Sequence, residues 1–204
     1  VKIFRSNGST IHNTKSLIIQ VKQMANMMPT INIGTYSLED ITTQRSAELQ
    51  RMLEHCDDFH LLVEGVPTYP YAADDIFLSV PPGKDPEEKF ILGILNAAGD
   101  IVGVLEGLPG YPQPDIWWIG LLLLTPETRG KGLGRRVVQR FCERARELGA
   151  SAVMLGVVEE NQAGLRFWQR LGFSEVSQTE PRPFGNKMHV VHVMRLDLPP
   201  SSTG

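Results

Sequence analysis

The 204-residue chain carries a formal charge of −3, with 42% apolar and 21% charged residues, the balance of a globular domain with room for a real core. That charge excludes bulk attraction to nucleic acid or to an anionic membrane, and no stretch approaches the length of a transmembrane helix. Two cysteines, Cys56 and Cys142, make no disulfide framework, and reduced thiols are expected of a cytoplasmic protein.

Residues 1–28 are poor in organisation and are read as a flexible leader or a non-native extension, with Met24, Met27 or Met28 as candidate starts. The ordered domain is expected over 29–198, with 199–204 as a tail. It opens on a short strand at 31–33. Ser37 and Asp40 resemble a capping box with aspartate in third place, which predicts a helix over about 38–56 carrying Ile41, Leu49, Met52, Leu53 and Cys56. A loop rich in Pro and Tyr at 67–71 precedes a second helical stretch at 72–78. The prolines and acids of 81–88 mark a solvated break.

Strands follow. Residues 89–95 and 101–107 flank a turn at 96–100 and predict a hairpin. Residues 117–124 form a further apolar run, stopped by Thr125-Pro126. From about 132 to 148, Leu133, Val137, Val138, Phe141, Cys142, Ala145 and Leu148 make one helical stripe. A strand at 151–158 comes next, so the strand–helix–strand order predicts a parallel pair with a right-handed crossover. Asn161 is placed to cap a short helix that ends at Gly172. Residues 173–176 and 187–196 read as the last two strands, joined by a loop at 181–186.

The chemistry concentrates where the run 120–124 meets Arg129-Gly130-Lys131-Gly132-Leu133-Gly134. Glycines accept positive φ and let a ligand approach the backbone, and the helix start adds unpaired N–H donors and the positive end of its dipole. Arg129, Lys131, Arg135 and Arg136 surround the turn with positive charge. A phosphate or pyrophosphate is the natural guest. No Lys-Ser or Lys-Thr follows at P-loop distance, and Gly130, Gly132 and Gly134 do not give the spacing of a dinucleotide fold.

Arg129-x-x-Gly132-x-Gly134 resembles the Arg/Gln-x-x-Gly-x-Gly/Ala element of the GNAT (Gcn5-related) N-acetyltransferases. Leu155-Gly156-Val157, Asn161, Phe167-Trp168 and Leu171-Gly172-Phe173 are similar to that family's second element, and the likeness extends over roughly 31–198. It implies an α+β fold: a mixed, mostly antiparallel sheet with a splayed parallel central strand pair, flanked by helices. It also implies an enzyme that transfers an acetyl group from acetyl-CoA to a primary amine of a small molecule or peptide, by direct attack and without a metal. Dimerisation through the last strands is left open.

By the same resemblance, the backbone at Gly130, Lys131, Gly132, Leu133, Gly134 and Arg135, with Arg129 beside it, would hold the pyrophosphate. Leu122, Leu123 and Leu124 would lie along the pantetheine like a neighbouring strand, and the Leu122 N–H would stabilise the oxyanion. Asn161, Phe167 and Trp168 would close the cleft from the other side. Two positions depart from the pattern. Trp168 stands where a tyrosine acid is common, and an indole N–H does not usefully release its proton. Trp118 stands where a glutamate base is common. Glu106, acting through water, is the alternative base, against a solvated strand-end carboxylate. Tyr69, Tyr71 and Tyr111 are candidate acids or acceptor contacts, against plain packing.

Trp117 and Trp118 are adjacent on a strand and face opposite ways. One is assigned to the core, and Trp118 to an apolar wall of the acceptor pocket. His189 and His192, three apart on one predicted strand, also diverge, which argues against a metal site on both. Asp57, Asp58, Asp74 and Asp75 are read as cap and surface charges, or as attractors of a cationic amine. The competing functional reading is a catalytically silent acyl-CoA-binding module.

Overall fold

The computed structural model describes residues 30–199; the proposed leader and most of the tail lie outside them. The chain begins with β1 (Ile31–Ile33) and β2 (Tyr36–Asp40), an antiparallel pair. Here the predicted helix over 38–56 needs correction. Tyr36–Asp40 is recruited into the sheet by partners on both sides, β1 and β3 (Phe90–Leu95), and tertiary pairing overrides the local cap signal. Ser37 Oγ bonds Glu39 at 2.8 Å instead of capping a helix. The turn starts instead at Thr42, whose side chain accepts from the Gln44 N–H.

Helix α1 (Ser46–Glu54) follows, then α2 (Asp57–Val63), which the apolar pattern did not predict, and α3 (Ala72–Leu78), which it did. Asp57 and Asp58 sit in the first turn of α2, where carboxylates suit the helix dipole. The predicted hairpin is β3 with β4 (Ile101–Pro109), and β5 (Ile116–Leu124) pairs with β4. Helix α4 (Leu133–Glu147), β6 (Ala152–Val158) and α5 (Gln162–Arg170) come where the sequence puts them.

The last two strands are more divided than expected. Beside β7 (Ser174–Gln178), the predicted loop contains β8 (Arg182–Phe184), and the predicted strand 187–196 breaks into β9 (Lys187–His189) and β10 (Val191–Asp197). The cause is a docking site on α2. Lys187 Nζ reaches Leu62 O at 2.9 Å, His189 Nε2 lies 2.8 Å from Val63 O, and the Asn186 N–H donates to Glu64 O at 2.8 Å. The β8–β9 hairpin is held off the main sheet there, and β10 returns between β6 and β7.

The main sheet has eight strands in the order β1-β2-β3-β4-β5-β6-β10-β7, and only β5–β6 is parallel. One buried cluster lies under α4 and α5 and includes Phe90, Trp117, Ile119, Phe141 and Trp168. The opposite face packs on α1 and α3 through Ile41, Leu49, Ile76, Leu121 and Leu123.

A bulge in β5 sets the phase between these faces. Glu106 pairs with Leu121 and Gly107 with Ile119, so Gly120 is an extra residue. Trp117 and Ile119 therefore share a face with Leu122 and Leu124, while Leu121 and Leu123 turn to the other side. A regular strand would have kept 117, 119, 121 and 123 together.

Candidate active site

The bulge coincides with the point where the central pair opens. β5 is hydrogen-bonded to β6 only from Ile116–Ala152 to Ile119–Leu155. Residues 121–124 continue beside β4 alone. The Thr125 N–H donates to Val102 O on β4 at 2.9 Å. Alternation along the antiparallel pair then turns the N–H groups of Leu122 and Leu124 away from β4, into the gap. A small cavity of about 40 Å³ fills the fork, bounded by Ile119, Gly120, Leu122, Gly156, Asn161 and Trp168.

A larger cleft of about 800 Å³ runs from there past the glycine turn. Its floor is Leu122, Leu123 and Leu124. Gly130, Gly132 and Gly134 form one end, and Asn161, Phe167 and Trp168 form the far wall. The turn is built for backbone exposure. Gly130 and Gly132 have φ of +73° and +76°, and a Cβ at either would meet nothing within 4 Å. Gly132 is the N-cap of α4 and supplies no side-chain cap, so the first-turn N–H groups keep their capacity for an outside acceptor. Asn161 is held by its own helix, with Oδ1 accepting from the Gly164 N–H at 2.9 Å.

The basic cluster is rearranged relative to expectation. Arg129 is already committed: its Nε donates to Leu124 O at 2.7 Å, and its guanidinium pairs with both oxygens of Asp58. That hydrogen-bonded pairing holds the Asp58 carboxyl below the usual range. Arg129 thus ties α2 to the end of β5. Arg136 turns away, its terminal nitrogen lying near Gly34. Lys131 is exposed outside the cleft lining, and Leu133 points into the core, 1% exposed. Of the predicted cations, Arg135 lines the cleft without an ion-pair partner among the described residues.

Two further arginines, Arg166 and Arg170, line the cleft and were missed by sequence reasoning. The signal was available: they share a helical face with Ala163 and Phe167 at spacings of three and four. Phe59, Leu62 and Asp58 also line it, but they sit on the unpredicted α2.

The proposed catalytic side chains lie outside this lining. Glu106 is nine-tenths buried on the α1/α3 side of the sheet, with Oε1 3.0 Å from Lys89 Nζ. Lys89 also donates to Ile76 O and to Ser79 O, the latter at 2.8 Å. The Glu106 carboxylate abuts Gly120, where a Cβ would come within 3.1 Å of its carbon. The solvated-carboxylate reading is thereby overturned. Both tryptophans are 5% exposed. Trp117 packs in the core against Phe90 and Phe141, and Trp118 stands edge-on to Tyr111 with ring centroids 5.7 Å apart. Burial raises the Tyr111 phenol above its usual value. Tyr69 donates to Asp75, and Tyr71 is 70% exposed.

The histidines lie apart. His189 is buried against α2 on β9, whereas His192 on β10 lies 2.6 Å from Glu175. Among the described residues no group of His, Cys, Asp or Glu is arranged to hold a metal ion. No helix among them is long and apolar enough to cross a membrane. Cys56 and Cys142 are buried, and burial pushes their thiols up to about 11 and about 12, which suits packing and not nucleophilic work.

The fold is of a known class. The crystal structure of an acetyltransferase from Thermus thermophilus superposes with a TM-score of 0.65 at 21% identity, covering 82% of this chain and 100% of that one. The spermidine N-acetyltransferase from Vibrio cholerae, in complex with CoA and spermine, gives 0.61 at 15% identity over 80% of this chain and 95% of that one. The family model of the acetyltransferase (GNAT) family matches residues 49–173, and the chain belongs to that family. A relative in Bacillus subtilis, the uncharacterized N-acetyltransferase YdgE, is 33% identical over 99 residues, 47% of this chain and 61% of its own length. The L-amino acid N-acyltransferase MnaT of Escherichia coli is 40% identical over 53 residues, 26% of this chain and 31% of its own length. The chain thus spans less than two thirds of the length of these relatives.

Proposed function

We propose that the chain is an acetyl-CoA-dependent N-acetyltransferase that modifies a primary amine of a small molecule or peptide. The observation that carries this reading is the fork at Ile119, which leaves the Leu122 N–H facing a cleft that ends on the glycine turn. Acetyl-CoA fits that shape. Its pyrophosphate meets the N–H groups from Gly130 to Arg135, and its pantetheine runs beside Leu122–Leu124 as an added strand. Asn161, Phe167 and Trp168 close over it.

The acceptor nitrogen attacks the thioester carbonyl carbon, forming the C–N bond while the Leu122 N–H stabilises the oxyanion. Collapse breaks the C–S bond. The amine proton leaves through water toward Glu106, and the departing thiolate takes a proton from solvent, which a thiol of pKa near ~8.5 permits. Most of the acceleration comes from positioning the two reactants.

One observation favours the silent acyl-CoA-binding alternative. Trp168 and Trp118, at the family's common acid and base positions, are both buried, and an indole cannot replace either. Release of free thiol from acetyl-CoA across a panel of primary amines decides between the readings. Turnover with any amine supports the enzyme, and tight binding of acetyl-CoA without turnover supports the sensor. Absence of binding by calorimetry removes both.

A further inference from the structure

Beyond the glycine turn, the cleft continues into a second cavity of about 270 Å³ between α4 and the end of α5, and the two share Arg135, Arg170 and Leu171. The second cavity adds Arg146, whose Nε is buried with no hydrogen-bond partner among the described residues. Its apolar lining includes Val138, Leu196 and Leu198.

The charges of this trough are unbalanced. Each carboxylate that lines it is already paired: Asp58 with Arg129, and Glu143 with Arg140 at 2.9 Å. Arg135, Arg146, Arg166 and Arg170 have no carboxylate partner among the described residues. Guanidinium groups gathered without counter-charge repel one another, and a planar fork of donors matches a phosphate. Coenzyme A carries such a group apart from its pyrophosphate, the monoester on the 3′ carbon of its ribose. The glycine turn accounts for the pyrophosphate and leaves that phosphate unassigned.

We propose that Arg135, Arg146 and Arg170 form a 3′-phosphate subsite, so that the protein selects coenzyme A over its 3′-dephospho form. The proposal rests on reading the main cleft as the coenzyme A site. The apolar residues of the second cavity would then face the adenosine that carries this phosphate.

Calorimetry of the full chain with coenzyme A and with 3′-dephospho-coenzyme A tests it without relying on turnover. Charge-assisted hydrogen bonds of ordinary strength predict that coenzyme A binds at least about tenfold tighter at low salt. That preference should narrow as salt is added, because exposed charges are screened. Arg135 and Arg170 are exposed, so R170Q and the double variant R135Q/R170Q should fold. The ratio of the two affinities should fall in R170Q and approach one in the double variant. R51Q, a charge removed from exposed Arg51 on α1, should leave the ratio as in wild type. Equal affinity of wild type for the two ligands overturns the subsite and spares the cleft. A preference that survives the double variant, or that R51Q also abolishes, overturns it too. Failure of both ligands to bind defeats the reading of the cleft itself, a separate outcome.

Discussion

The two faces of β5 are organised on opposite principles. Toward α4 and α5 the strand borders an open cleft with free main-chain donors, glycines at positive φ and arginines without carboxylates. Toward α1 and α3, most polar groups are paired within the protein before any ligand arrives: Lys89 with Glu106 Oε1 and two carbonyls, Tyr69 with Asp75, Ser46 with Asp74 at 2.7 Å. Glu106 Oε2, by contrast, is buried without a hydrogen-bond partner among the described residues. A cleft of the kind proposed here for coenzyme A, a highly charged molecule, can be built from backbone and fixed cations. The face expected to meet the acceptor is defined by side chains, and there this chain departs from the family's usual residues. The open face should therefore fail outright when its backbone is obstructed, and the closed face should fail in rate.

The largest effect is expected on the open face. Gly132→Asp places a carboxylate where phosphoryl oxygens would sit, on a residue with φ of +76°. Gly134→Asp drives a Cβ to within 3.3 Å of the Phe167 ring and narrows the cleft. Each should weaken coenzyme A binding at least about 100-fold through lost donors and like-charge repulsion, while far-UV circular dichroism stays that of wild type. Retained affinity in a folded variant would move the coenzyme off this turn.

Next comes the closed face. Glu106→Gln keeps the size of the side chain and its contact with Lys89 but removes its capacity to take a proton. General-base catalysis typically contributes ~10² or more, so kcat should fall about 100-fold while coenzyme A affinity is unchanged. A kcat equal to wild type would assign the Lys89–Glu106 pair to tying α3 to the sheet and nothing else.

The same division explains what was legible in the sequence. The open face is made of local features: a glycine turn, a helix stripe, an asparagine cap. Each announces itself within a few residues, so α4, α5 and the glycine turn came out within a residue or two of where they stand. The closed face depends on long-range pairing. Residues 36–40 looked like a helix start because Ser37 and Asp40 are cap residues. Only β3, more than fifty positions later, makes them a strand. Residues 187–196 looked like one strand, and only α2 shows why they are two. Glu106 was identified, but its burial with Lys89 was not, since nothing local brings those two side chains together. Arg129 shows the limit on the open face as well. Its place in the motif was plain, but its commitment to Asp58 depended on a helix that the apolar pattern did not reveal.

That pair offers the smallest and most discriminating test. Asp58 and Arg129 both line the cleft, yet they are spent on each other. Asp58→Asn should cost stability and free a cation toward the ligand at once. Asp58 is 58% exposed, so solvent screening limits the stability cost to about 1 kcal/mol or less. Its carboxyl is held below the ordinary 3.8 by the Arg129 hydrogen bonds. A depressed acid contributes stability above its unfolded pKa and loses it as pH falls through the folded value. The gap in melting temperature between wild type and Asp58→Asn should therefore be full near neutrality and close below pH ~3.8. Coenzyme A affinity at neutral pH should rise roughly two- to fivefold in the variant, the counterpart of an ion pair of that strength. If affinity falls instead, the pair serves to hold the end of β5 in place, and Arg129 acts through Leu124 and not through its charge.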